Sequence, residues 1–323
     1  MSFWSNLRQP FFILAPMEAV TDVIFRHVVD KAGGPDLYFS EFTNATGWVH
    51  AGDKAIGGRL VKTADETRLV AQIWGSVPDD IAKLSTHCKK LGFIGIDINM
   101  GCPDSSAVKA GGGAGMIRTP ELASEIISSA KTSGLPVSAK TRLGYSSLDE
   151  WHDWLSHLLR QDISALTIHL RTKKEMSKVP AHFELIPDIV KLRDEIAPET
   201  LIIINGDIEN RDHGLEIIKN NPGVNGIMIG RGVFHNPFCF NESSPDRTNK
   251  SSIKSAELID LLIYHLELYD KWHEKNDRPY QTLKRFYKVY VRDFDGAKEL
   301  REQLMNTKST DEVREILGRI QYN

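Results

Sequence analysis

The sequence predicts a (β/α)₈ TIM barrel followed by a small all-helical C-terminal domain. Three observations predict it. Short apolar runs recur eight times before residue 240, each followed by a polar or Gly-containing turn and then a longer stretch with helical spacing. Polar side chains stand at the carboxyl end of every run, where barrel enzymes carry their chemistry. After Phe240 the texture changes to a polar stretch and then to helical periodicity without strand-like alternation. A doubly wound open sheet uses the same alternation, and the count of eight favours closure.

In order, strands are expected at 11–15, 37–41, 69–74, 94–99, 136–141, 165–169, 201–205 and 225–230, and helices at 22–31, 78–91, 120–133, 148–161, 183–195 and 211–219. Pro78 and Pro120 fall where a first helical turn tolerates proline. The connection 42–68 shows no clear pattern. In the fourth run, Ile94, Ile96 and Ile98 suit a strand of a parallel sheet, and Gly101 and Pro103 forbid its continuation. Cys102 is therefore expected on a turn just past a strand end. The following glycine-rich run, 110–115, reads as a loop that can move or approach a ligand closely. Taken singly, a cysteine here is as well explained as a small buried hydrophobe.

Composition sets bounds. A 323-residue chain with 41% hydrophobic and 26% charged residues is an ordinary globular protein with enough length for a sizeable core. The apolar opening at 11–16 is too short for a signal segment, and no run reaches membrane-spanning length, so a cytoplasmic monomer without membrane attachment is expected. Cys88, Cys102 and Cys239 lie far apart without paired spacing, which points to reduced thiols and no metal. A formal net charge of −3 excludes nucleic-acid binding by bulk electrostatics and leaves only a local basic patch.

The strand ends carry Pro16-Met17-Glu18, Glu41, Gln72, Asn99 with Cys102, Lys140 with Arg142, His169 with Arg171, Asn205-Gly206-Asp207 and Gly230-Arg231-Gly232. Gln72 follows Val70 at period two and is expected inside the barrel. A lysine pointing inward needs an anion or an acceptor. His169 alone is most simply a satisfied core histidine. Arg231 between two glycines at the eighth strand end suits phosphate, which barrels bind through backbone N–H groups in this region. A lysine, a histidine, a glutamine and an asparagine inside the ring, with phosphate at strand eight, describe a seat for flavin mononucleotide (FMN). Lys140 would stabilise the reduced flavin. A neighbouring thiol, mostly protonated below its ordinary pKa of about 8.5, suits a general acid in the reduction of an activated carbon–carbon double bond.

The ordered set of motifs resembles the tRNA-dihydrouridine synthases. The likeness is carried by Ala15-Pro16-Met17-Glu18, the block from Asp97 to Pro103, Gly112-Gly113-Ala114 with Arg118-Thr119-Pro120, Ser138 to Gly144, Ile168 to Thr172, Ile204 to Ile208 and Met228 to Gly232. The resemblance implies an FMN enzyme that reduces uridine to 5,6-dihydrouridine in tRNA, with NADPH as reductant. It implies that Pro16, Met17, Glu18, Gln72, Lys140, His169, Asn205, Gly206, Asp207, Gly230 and Arg231 bind the cofactor. It also implies Cys102 as the catalytic acid, and Asn99, Arg142 and Arg171 beside the substrate. The run Lys173 to Phe183 departs from the family's usual pattern and leaves the target nucleotide open.

Residues 1–240 are thus expected to form the FMN-binding catalytic barrel, 241–252 a linker, and 253–323 a helical RNA-binding domain. In that tail Leu258, Leu261, Leu262, His265 and Leu266 mark one face. Lys284, Lys288 and Arg292 are four apart and lie on one helical face, with Arg285 beside them and Phe286, Tyr287 and Tyr290 interleaved, a pattern suited to positioning phosphates. Lys284, Arg285 and Lys288 are the candidate RNA contacts. Two other readings fit the same residues: an FMN barrel reductase of a small pyrimidine or enone, and an RNA-binding protein that keeps the fold with reduced catalysis.

Overall fold

The computed structural model describes residues 2–241 and 255–319. Eight strands run parallel: β1 Phe11–Leu14, β2 Leu37–Phe39, β3 Leu69–Trp74, β4 Ile96–Met100, β5 Val137–Arg142, β6 Ala165–His169, β7 Leu201–Asn205 and β8 Gly226–Ile229. Each pairs with its sequence neighbour, and β8 returns to β1 with Phe11 opposite Gly226 and Leu14 opposite Ile229, closing the ring. The expected strands all exist, with ends displaced by two residues at most. β2 stops at Phe39 rather than Glu41 because the Ser40 side chain takes over, its Oγ accepting from the Gln72 N–H at 3.0 Å.

The pleat sorts side chains by parity. Phe11, Ile13, Leu37, Phe39, Val70, Ile203 and Met228 pack together inside the ring with Trp4, while their neighbours Phe12, Leu14, Ala71, Ile96, Ile98, Ile204 and Ile227 face the surrounding helices. The interior is therefore oily along β1, β2 and β8. Along β3 to β5 the same parity delivers Gln72, Asp97, Asn99, Ser138 and Lys140, so one arc of the interior is polar.

The six helices expected around the barrel are present, two of them preceded by short 3₁₀ turns at Leu148–Glu150 and Phe183–Leu185. The connection 42–68, which carried no legible pattern, holds three short helices at Ala45–Ala51, Asp53–Ile56 and Gly57–Leu60. Gly52 (φ 65°) and Gly57 (φ 54°) cut this stretch into pieces too short to display a 3.6-residue period.

The C-terminal residues are helical, led by Ser255–Asn276, whose Leu258, Leu261, Leu262, His265 and Leu266 are all buried, as their spacing predicts. The stretch docks on the first barrel helix, Val23–Lys31, with Phe25 stacked on Phe286 at 5.0 Å. Lys284, Lys288 and Arg292 do not form the expected α-helical face. Tyr280–Phe286 is a 3₁₀ helix, the α-helix Tyr287–Tyr290 lasts four residues, and Arg292 lies beyond it beside Asp293. Phe286, Tyr287 and Tyr290 are all buried here, and the change from a 3₁₀ to an α-helix at Tyr287 breaks the four-residue spacing, so the cations do not share one continuous face. From Glu242 onward the expected linker lies outside the described residues, as do residues 320–323. Among the described residues no helix is long and apolar enough to cross a membrane.

The β8–β1 closure leaves no space at Gly226, where a Cβ would stand 2.3 Å from the Phe11 ring. Gly226→Ala should cost about 1–3 kcal/mol by overpacking, read as a lower urea midpoint at unchanged slope; an unchanged midpoint would show that the seam is loose.

Candidate active site at the barrel mouth

The polar arc begins with a buried carboxylate. Asp97 is fully buried, and its two oxygens accept from Gln72 Nε2 at 2.7 Å and Ser138 Oγ at 2.7 Å. Burial raises its pKa to about 6, against these hydrogen bonds and the nearby charge of Lys140. Because Gln72 donates to Asp97, its amide oxygen faces the other way and accepts from Asn99 Nδ2 at 2.9 Å. Asn99 must then present its own oxygen to the strand end, where it accepts from the Gly101 N–H at 3.1 Å and the Cys102 N–H at 2.9 Å. The chain from Asp97 to Asn99 thus fixes the turn that carries the thiol. Asp97 was quoted in the sequence motif but not singled out; its parity with Asn99 in Ile-Asp-Ile-Asn-Met would have found it.

Two further supports hold that turn. Arg142 Nε donates to the Gly101 carbonyl at 2.8 Å, and its Nη1 reaches the carbonyls of Thr172 at 3.2 Å and Met176 at 3.0 Å. The Ala114 N–H donates to the Cys102 carbonyl at 2.9 Å. Residues 110–115, expected as a loop that can move or approach a ligand closely, are largely a shelf packed under the thiol. Gly112 to Gly115 are buried and the 3₁₀ helix Gly113–Arg118 starts within the run. A Cβ at Gly113 would stand 2.7 Å from the Cys102 oxygen, so glycine is needed here for close packing rather than for motion.

Cys102 itself is half-buried and opens on a cavity of about 440 Å³ lined by Glu18, Phe42, Asn44, Arg59, Trp74 and Asp104 among others. Burial raises its pKa above the ordinary thiol value.

A second cavity of about 410 Å³ lies at the carboxyl ends of the first, fifth, sixth, seventh and eighth strands. It gathers Pro16, Met17, Lys140, His169, Asn205, Gly206, Asp207, Gly230 and Arg231, nine of the eleven residues expected to hold a cofactor, and its volume suits a small-molecule site. Of the other two, Glu18 lines the thiol cavity and is ion-paired with Arg59. Gln72 is buried beneath Asn99.

Two cations, Lys140 and Arg231, line this second cavity together with the carboxylates of Asp207 and Glu209. Lys140 is half-buried, its Nζ 3.1 Å from Asn205 Oδ1, and burial with the neighbouring Arg142 lowers its pKa to about 8. Asn205 is oriented by the Met228 carbonyl, to which its Nδ2 donates at 2.8 Å. Arg171 Nη1 lies 3.1 Å from His169 Nε2; a guanidinium only donates, so Nε2 accepts and the ring proton sits on Nδ1. Burial and the cations around it push the His169 pKa well below its usual value, and the ring is neutral. Asp207, in a left-handed conformation (φ 50°), pairs with Arg171 and lies 3.2 Å from Arg231. A Cβ at Gly206 (φ 118°) would stand 2.9 Å from the His169 ring. His235 and Glu209 also line this cavity, and nothing in the strand pattern marked them.

The structure does not bring every expected substrate contact to a cavity. Arg171 (2% exposed) and Arg142 (6% exposed) spend their guanidinium groups on Asp207, His169 and backbone carbonyls. Asn99 is committed to the thiol turn. Lys284 Nζ donates to the Met305 carbonyl at 2.7 Å, and Lys288 is exposed on the tail. Arg285 alone of these tail residues reaches the mouth, its Nη1 donating to the Ala19 carbonyl at 2.8 Å.

A family model described as dihydrouridine synthase matches residues 13–322. A protein named probable tRNA-dihydrouridine synthase 2 from Bacillus subtilis (strain 168) is 55% identical over 317 residues, covering 98% of this chain and 95% of its own. A probable tRNA-dihydrouridine synthase from Staphylococcus aureus (strain COL) is 53% identical with 98% and 94% coverage. Among solved structures, histamine dehydrogenase from Rhizobium sp. 4-9 matches with a TM-score of 0.52 at 11% identity, over 80% of this chain and 48% of that one, a likeness of fold.

The burial of the three thiols orders their reactivity. In the native protein Cys102 alone should react with iodoacetamide, slowly at neutral pH and faster only as pH rises beyond the ordinary thiol range, while Cys88 and Cys239 react only on unfolding. Peptide mass spectrometry reads the order; rapid, complete labelling of Cys102 at pH 7 would show that burial does not hold it protonated.

Proposed function

This chain belongs to the dihydrouridine synthase family and is an oxidoreductase, and from that premise we propose that it reduces uridine to 5,6-dihydrouridine in tRNA with FMN as cofactor and NADPH as reductant. The observation that carries the proposal is that the cavity lined by Lys140 and Arg231 and the cavity that holds the Cys102 thiol meet at one turn, where Met17 lines the former and Glu18 the latter.

The residues present fit FMN. Lys140, Arg231 and the Nδ1 proton of His169 offer positive or donating groups to an anionic, carbonyl-rich ligand, and Gly230, with only Ala15 and Met17 atoms within 4 Å of a would-be Cβ, leaves backbone accessible. Arg231 is 60% exposed and stands where barrels bind phosphate. Pro16, Met17, Asn205, Gly206 and Asp207 complete the wall, with Gln72 ordering the layer below. Bound there, FMN would supply the hydride for carbon 6 of the uracil ring, with NADPH as the source of its reducing equivalents.

The protein's own part is the proton. Cys102 keeps its proton at neutral pH because its site is poorly solvated, and it delivers that proton to carbon 5, the thiolate regaining one from solvent. Asn99 and Arg142 hold the thiol's backbone still, which preserves the approach of sulfur to the ring. Lys140 stabilises negative charge in the neighbouring cavity. Arg171 fixes the His169 tautomer. A uridine must leave its stack to enter, and unpaired loop bases do so most easily. Trp74 and Phe42 in the thiol cavity offer faces for such a base. Lys284 and Lys288 would contact phosphates outside the mouth, and Arg285 would do so at its edge.

Deleting the gene in cells without a redundant enzyme should abolish dihydrouridine at one or a few tRNA positions, read by nucleoside mass spectrometry with position mapping. The wild-type gene should restore it, and Cys102→Ala should turn over 10²–10⁴-fold more slowly while binding FMN normally; unchanged dihydrouridine on deletion would favour the small-molecule reductase. Lys140 adds a pH signature. An anionic ligand favours its charged form and raises its pKa from about 8, so binding takes up a proton. FMN affinity should therefore weaken as pH rises past about 8, and Lys140→Met should remove the dependence; a pH-independent affinity in the wild type would exclude this role.

A further inference from the structure

The C-terminal helix ends inside the barrel's rim. Asn276 is fully buried, and its Nδ2 donates to Asp22 Oδ2 at 2.6 Å. Gly58, from the 42–68 connection, abuts it so closely that a Cβ there would stand 2.4 Å from Asn276 Cα. Two residues on, Arg278 Nη2 donates to both oxygens of Glu41, at 2.7 Å and 2.6 Å, and its Nε lies 3.7 Å from Asp22. Glu41 is fully buried just past β2, and one of its oxygens also accepts from the Ala19 N–H.

Ala19 is therefore gripped on both sides. Its N–H is held by the carboxylate that Arg278 orients, and its carbonyl accepts from Arg285. Its left-handed conformation (φ 56°) is one that alanine adopts only when its surroundings impose it. The residues just before it on the same turn are Met17, in the wall of the cation-lined cavity, and Glu18, in the wall of the thiol cavity.

We infer that Arg278 is a positioning residue for the active site: through Glu41 it sets the Pro16–Val20 turn that divides the two cavities, so the helical tail completes the cofactor seat as well as meeting RNA. Docking alone would not call for this arrangement. The apolar contacts around Phe25, Leu262 and Phe286 already hold the tail, and a buried ion pair adds little net stability over packed hydrophobic residues. What the guanidinium adds is direction: one nitrogen, Nη2, donates to both oxygens of Glu41 while Nε faces Asp22, so the carboxylate is held in one orientation. The cofactor arm of the inference rests on the FMN reading; the backbone arm does not.

The test compares full-length wild type, Arg278→Met and Arg278→Lys with Leu266→Ala, a substitution in the tail's apolar face. FMN dissociation constants are measured by fluorescence titration, and hydrogen exchange is followed at the Met17 to Thr21 amides. Arg278→Met should weaken FMN binding at least ten-fold and speed exchange at Ala19, with Arg278→Lys intermediate because an ammonium keeps the charge but has no second nitrogen to face Asp22. Leu266→Ala should lower the unfolding temperature without either effect. Wild-type FMN affinity and Ala19 protection in Arg278→Met, or in Arg278→Lys if the methionine variant does not fold, would overturn the inference. Equal losses in Leu266→Ala would overturn it too, by showing that general tail stability is what matters. If the wild type itself binds no FMN, the flavin reading fails, and the Ala19 exchange still decides the clamp.

Discussion

Two backbone N–H groups, those of Gly101 and Cys102, converge on one amide oxygen of Asn99, and the site hangs from that convergence. A strand that stops in the open would leave its thiol on a loose end. Here the terminal turn is bonded to the strand's own last inward side chain, and that side chain is oriented from below. Asp97 requires donors because it is buried; Gln72 supplies one and is thereby turned; Asn99 has one orientation left. The direction of each amide follows from the one before it. Burial at the start of the series and a protonated thiol at its end are two effects of the same poorly solvated arc of the barrel.

A second network of the same logic encloses the cation-lined cavity. Asp207 draws Arg171 and Arg231 together, and Arg171 in turn settles the proton of His169. These arginines differ in what they can do. Arg171, buried and fully engaged, orders its neighbours, while Arg231 is largely exposed to whatever enters. The two networks meet at the Pro16–Glu18 turn, which the tail holds from outside.

The barrel was legible because its strands obey a simple parity: alternate residues must go in or out, and Val70-Ala71-Gln72 or Ile96-Asp97-Ile98-Asn99 announces both directions at once. The grouping of nine strand-end residues around one cavity was legible for the same reason, since they stand on inward or strand-end positions that closure brings together. What escaped was decided by contacts distant in sequence. Arg142 and Arg171 look like ligand-binding cations until their carbonyl and carboxylate partners are seen. The glycines of 110–115 signal freedom on paper, whereas tight packing against Cys102 and Trp74 explains them. The basic stripe of the tail assumed one α-helical period, and the segment instead changes from a 3₁₀ helix to a four-residue α-helix at Tyr287. Arg278 and Glu41 are 237 residues apart, and no local pattern links them.

The most direct measurement of the central claim is a single turnover without oxygen. The purified holoprotein is reduced, excess NADPH is removed, and tRNA lacking dihydrouridine is added while flavin absorbance and product are followed together. The account predicts that the oxidised flavin spectrum returns as one dihydrouridine forms per flavin, and that in Cys102→Ala both slow in step. Reduced flavin that persists beside bound tRNA, with no dihydrouridine formed, would contradict it.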